Sequence, residues 1–121
     1  VGKRIGTLMT EINELDKFNA SADMVQGTRI QLEKDTGIAD FSFTEENYND
    51  LPALVHELMA FYEHLEQSNP AALMRVVNRV DLSEQQYRKV KSMPGNFCEN
   101  LAKASVLRAF QKVLIRKKYS G

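Results

Sequence analysis

The chain has a single cysteine, no excess of either charge, and no apolar run approaching the roughly 18 residues that a membrane-spanning helix requires. With Cys98 alone, no intrachain disulfide can form and no metal site can be built from several thiolates. A reducing cytoplasm is therefore the expected location. The opening stretch VGKRIGTLMTEINELDKF lacks an apolar core followed by a small-residue cleavage site, so no signal peptide is expected. The six glycines are scattered without a phosphate-loop pattern, and no serine sits in a nucleophile elbow. Length is what the chain does have. Its 121 residues suffice for one domain, residues 1–121, burying roughly two-thirds of the surface of the unfolded chain without disulfides or metal. Residues 1–20 are expected to form a loosely attached N-terminal helix.

Apolar spacing predicts helices almost throughout. In LPALVHELMAFYEHL, residues Leu51, Leu54, Val55, Leu58, Phe61, Tyr62 and Leu65 follow the i, i+3, i+4, i+7 pattern, with Met59 and Ala60 widening the stripe. Ile5, Leu8, Met9, Ile12 and Leu15 give residues 3–18 a similar stripe, and Ser21 can cap the next helix. Residues 22–43 read two ways. Val25, Thr28 and Leu32 make a thin helical stripe, with Gly37 as the left-handed residue beyond a helix ending near Thr36. Against this, Arg29 to Glu33 and Phe41 to Phe43 alternate with period two around Asp35-Thr36-Gly37, as in a β-hairpin. A helix followed by an extended Phe41–Phe43 segment is preferred, because an isolated hairpin is marginal in water.

Thr44, Glu45 and Glu46 suit the start of a helical turn, and at Pro52 either the main helix begins, around Asp50, or a helix starting at Glu45 kinks. Asn69-Pro70 restarts the chain, with Leu73, Val76, Val77 and Val80 facing inward. Ser83 with Gln86 forms a capping-box pair ahead of Tyr87 and Val90. Met93-Pro94-Gly95 is the clearest break. Asn96 and Glu99 open a last helix to about Lys118, with Phe97, Leu101, Ala104, Leu107 and Leu114 along one face. The fold class read from this pattern is all-α, a single-domain bundle of five or six helices. The alternative is α+β, with a small hairpin at residues 28–43.

The zero net charge hides a division. Residues 1–85 carry seven Lys/Arg against fifteen Asp/Glu, and residues 86–121 carry nine against Glu99 alone. Such asymmetry suits a nucleic-acid or membrane surface. The preferred reading is internal neutralisation, since a compact domain brings both ends within a Debye length or two. Arg108, Lys112 and Arg116 recur every four residues as a basic stripe, which can lie along phosphates or pair with Glu57, Glu63 or Glu66. Ile115 beside them points away from the main apolar face, so a second helix, from this chain or another, is expected to cover it.

The remaining motifs point to no chemistry. His56-Glu57 starts like a zinc-peptidase signature, but Ala60 stands where its second histidine belongs, and His64 lies too far round the helix. Asp35-Thr36-Gly37 matches the aspartic-protease tripeptide without the apolar strand that precedes it there, so a polar turn or helix terminus explains it. Cys98 reads as a packed or surface thiol. No titratable group converges by sequence, so neither an enzyme nor a cofactor nor a small-molecule substrate is expected.

Two segments taken together carry a resemblance: Asn78-Arg79-Val80-Asp81-Leu82-Ser83-Glu84, and Gln111-Lys112-Val113 running on to Tyr119-Ser120. They resemble a family of short, uncharacterised helical bacterial proteins, over residues 44–120. The resemblance implies an all-helical fold and a cytoplasmic home, and no activity. Around the first segment, Arg75, Arg79, Asp81 and Ser83 form an expected structural turn, with Asp81 pairing with an arginine or capping the following helix. The expectation for function is a non-enzymatic interaction module that associates with itself or another protein, using Arg108, Lys112, Ile115 and Arg116. The alternative is a nucleic-acid-binding protein using the basic C-terminal helix.

Overall fold

Each helix starts where a short polar side chain can accept an otherwise unpaired backbone N–H. The structure, a computed structural model, describes residues 20–120. Ser21 caps α1 (Ala22–Thr36), accepting from the Met24 N–H at 3.3 Å. Asp50 caps α2 (Leu51–Ser68) through the Ala53 N–H at 3.0 Å, and Asn69 caps α3 (Pro70–Val80) through the Ala72 N–H at 3.2 Å. Ser83 and Gln86 exchange both bonds of a capping box at the start of α4 (Glu84–Ser92). Asn96 accepts from the Glu99 N–H at 2.8 Å at the start of α5 (Phe97–Ser120). Pro52 and Pro70 stand in the first turns of α2 and α3, where the N–H that proline lacks would be unpaired anyway.

The described residues contain five helices and no strand, so the fold is all-α. The hairpin alternative at residues 28–43 is wrong. Period-two alternation would put Ile30 and Leu32 on one side, but Ile30 is 57% exposed and Leu32 fully buried, as 3.6-residue periodicity separates them. The pairs Arg29–Glu33 and Gln31–Asp35 close across successive helical turns. The helix expected over residues 3–18 lies outside the described residues.

Two local expectations fail. Gly37 is not left-handed. It has φ −61° and opens a 3₁₀ turn (Gly37–Ala39), and Asp40 takes the left-handed conformation at φ 60° instead. Asp tolerates that geometry better than most residues because its short side chain can bond locally. Residues 44–50 form bends and no helical turn. Their donors are drawn to α2: the Thr44 N–H donates to Glu57 at 3.0 Å, and the Tyr48 hydroxyl, which accepts from the Glu45 N–H, donates to the same carboxylate. Phe41, Phe43, Tyr48 and Phe61 close the segment over the core with ring centroids 4.5–5.5 Å apart.

A single hydrophobic cluster runs through the described residues, and α5 is its common wall. It packs mainly on α1 and α2, with α4 and α3 against its other sides. Consequently α5 has no single apolar stripe. Leu101, Ala102, Ala104, Ser105, Val106, Leu107 and Ala109 are all buried, as expected of a helix covered on several faces. Its alanines and serine let neighbours approach. α1 comes close at Gly27, where a Cβ would lie 2.9 Å from Val113 Cγ1. The expected stripe overran by a turn: Leu114 is 51% exposed and no part of the core. At the α4–α5 turn Gly95 has φ +98°, a conformation that favours glycine.

Candidate interaction face

The C-terminal half of α5 and the outer side of α1 meet around an open depression of about 370 Å³, lined by Gln31, Lys34, Arg108, Lys112, Ile115 and Arg116. The helical repeat brings the last four together, since residues 108, 112 and 116 fall one turn apart and 115 lies beside them. These are the four residues singled out from the sequence, and the structure gathers them at one place. Helix α1 adds Lys34 and Gln31, which the sequence reading missed because it left residues 22–43 ambiguous.

Two of the cations are held by acids. Lys112 Nζ lies 3.0 Å from Asp35 Oδ2, and Asp35, buried at 6% exposure, also accepts from Gln31 Nε2 at 3.1 Å on both oxygens. Arg108 Nη2 donates to Asp81 Oδ2 at 2.9 Å, and that bond is the main reason the Asp81 carboxyl sits below its ordinary value. Neutralisation of the stripe was expected from Glu57, Glu63 or Glu66, and that expectation is corrected. Glu57 is occupied by Tyr48 and Thr44, and the acids that reach the basic stripe come from α1 and from the end of α3. Lys34 and Arg116 are exposed, and no carboxylate among the described residues pairs with them.

Apolar surface adjoins these charges. Ile115 is 52% exposed on α5, beside Leu114, and Ile30 is similarly open on α1. No second helix among the described residues covers Ile115.

The turn group is only partly as expected. Ser83 caps α4, but Asp81 neither caps that helix nor pairs with Arg75 or Arg79, both of which are exposed. Asp81 ends α3 in the left-handed conformation at φ 74°, its N–H donating to the Asn78 carbonyl at 3.1 Å. This turn takes its side chain off the face that Arg75 and Arg79 share and lets it reach α5. Asp81 thus links the turn to the basic stripe.

Other reactive side chains do not assemble into a centre. His56 and His64 are both exposed, and no three metal-ligating side chains cluster among the described residues. Asp35-Thr36-Gly37 is a helix terminus, as expected. Cys98 is buried beside Glu66, its thiol donating to the carboxylate at 3.7 Å, and burial followed by the Glu66 charge pushes its pKa up to about 11. That opposes nucleophilicity. A second groove, about 360 Å³, lies between Leu73, Met74, Tyr87 and Phe97, with Glu66 and Lys91 at its rim. No helix among the described residues is long and apolar enough to cross a membrane. Compared with protein-family models, curated proteins and solved structures, the chain matches none, so the resemblance over residues 44–120 supplies no function.

Proposed function

We propose that the protein is a non-enzymatic helical interaction module that self-associates through the face formed by α1 and the C-terminal half of α5. The observation that carries this reading is Ile115, half-exposed between Lys112 and Arg116, with Leu114 exposed next to it in the chain and Ile30 exposed on α1. Exposed aliphatic residues beside cations fit a partner surface that pairs apolar side chains with carboxylates. A second copy offers such carboxylates in its exposed Asp40, Glu45, Glu46 and Asp50. With formal charge zero, copies lack the net repulsion that would keep them apart. A cytoplasmic setting belongs to the same reading, supported by the lone, buried thiol.

Sedimentation equilibrium at high micromolar concentration tests it. The expected result is a concentration-dependent oligomer that dissociates in Ile115→Glu while the helical spectrum is kept. A parent chain that stays monomeric throughout overturns it. A second reading, nucleic-acid binding by the basic end, is favoured by the addition of Lys34 to the stripe. It expects binding to oligonucleotides that weakens steeply as salt rises.

A further inference from the structure

We propose that the depression between α1 and α5 is a binding site for a small, multiply charged phosphate compound, such as a di- or triphosphate. The inference stands on the polar donors of the face proposed for association, so a bound ligand and a second copy compete for it. Every polar side chain lining the depression can donate: Gln31, Lys34, Arg108, Lys112 and Arg116. No carboxylate among the described residues lines it. Asp35 and Asp81 sit at its edges, and each holds one cation through a single N–H. A guanidinium has five N–H donors and an ammonium three, so both groups keep donors for a ligand after these bonds are made. The acids therefore fix Lys112 and Arg108 in position more than they satisfy them. Asp35 is itself fixed by Gln31 and by burial. Cations held this way lose little rotamer freedom when an anion arrives, which is the cost that usually weakens binding by flexible surface side chains.

Charge sets the class of ligand. Among the described residues, with both carboxylates counted against Arg108 and Lys112, the charges of Lys34 and Arg116 are left over, which matches a ligand with at least two negative charges. Phosphate oxygens suit the forked donors of Arg108 and Arg116. A volume of about 370 Å³ is enough for a small polyphosphate, and Ile115 supplies the apolar wall. The same phosphate chemistry is offered by a free metabolite, a nucleic-acid backbone or a lipid headgroup. The short reach of the cations, two turns of α5 and one position on α1, favours the free compound.

Calorimetric titration of the full chain with inorganic tripolyphosphate, with sulfate at matched ionic strength as the control, tests the site. One tripolyphosphate per chain should bind more tightly than sulfate. Lys34→Glu and Arg116→Glu, both at exposed positions and checked for fold by circular dichroism, should each weaken it by on the order of tenfold or more, the effect of losing one charge-assisted hydrogen bond. Tripolyphosphate binding no tighter than sulfate, or unchanged in both variants, overturns the proposal. So does binding confined to oligonucleotides or to vesicles of phosphatidylcholine and phosphatidylserine, which would make this a polymer or membrane surface. A monomeric chain that binds tripolyphosphate upholds the site and rejects self-association, whereas an oligomer that ignores tripolyphosphate does the reverse.

Discussion

Substituting Gly27 by alanine sets two opposing effects against each other, and their balance depends on one neighbour. Gly27 lies inside α1, where alanine is favoured over glycine by roughly 0.8–1.0 kcal/mol. The added Cβ would stand 2.9 Å from Val113 Cγ1 and 3.6 Å from Cγ2, and the first distance is closer than real Cβ contacts allow. Val113 is buried at 5% exposure, and a β-branched side chain has little torsional freedom with which to retreat. Overpacking of this kind costs about 1–3 kcal/mol. The net effect of Gly27→Ala should therefore be a loss of about 0–2 kcal/mol. In a Val113→Ala background both clashing methyls are gone, and the same substitution should stabilise by about 1 kcal/mol. Urea denaturation of the four proteins completes the double-mutant cycle, with an expected coupling of about 1–3 kcal/mol. An equal effect of Gly27→Ala in both backgrounds would refute the claim that α1 and α5 touch there.

Two further outcomes follow from the loop and the turn. Burial raises the Glu57 carboxyl, but the bonds from Tyr48 and Thr44 outweigh it and leave the pKa below the ordinary 4.5. A depressed folded value contributes stability above the unfolded pKa and loses it as pH falls through the folded one. Thermal melts should thus drop as pH falls below 4.5, with a shallower drop in Glu57→Gln; an unchanged slope in that variant counts against a stabilising role for the Tyr48 and Thr44 bonds to Glu57. Asp81→Ala should cost about 1–2 kcal/mol, because alanine tolerates the left-handed φ of 74° poorly. Asp81→Gly, which loses only the exposed pair with Arg108, should cost less than about 1 kcal/mol. Equal losses in chemical denaturation would assign the effect to the ion pair.

What the sequence disclosed was local. Asp50 before Pro52, Asn69 before Pro70 and the Ser83–Gln86 pair mark helix starts within four residues, because a cap and its N–H partner are neighbours in the chain. The buried stripe of α2 was legible for the same reason. Tertiary partners were not. Lys112 finds Asp35 across 77 residues and Arg108 finds Asp81 across 27, whereas reasoning from i±4 neighbours could offer Asp81 only Arg75 and Arg79. The end of α1 at Thr36 was legible, but the left-handed residue beyond it was misplaced, because glycine is the usual choice and Asp40 took the role. Leu114 was misassigned because apolar periodicity continues along α5 after its neighbours stop. The basic stripe itself was readable from spacing, but Lys34 was not, since its place depends on how α1 lies against α5.

That last helix is two things joined end to end. Up to Val113 nearly every position is enclosed, and from Leu114 to Tyr119 every position faces outward. The enclosed part tolerates few replacements, since each one alters packing against two or more helices. The outward part is free of that constraint. On the proposed reading, substitutions over its last six described surface positions change what the molecule recognises and leave its stability alone, so affinity for a partner can drift, invert in charge or vanish while the fold persists. Two copies of this gene under different selection could diverge in partner through these two turns alone.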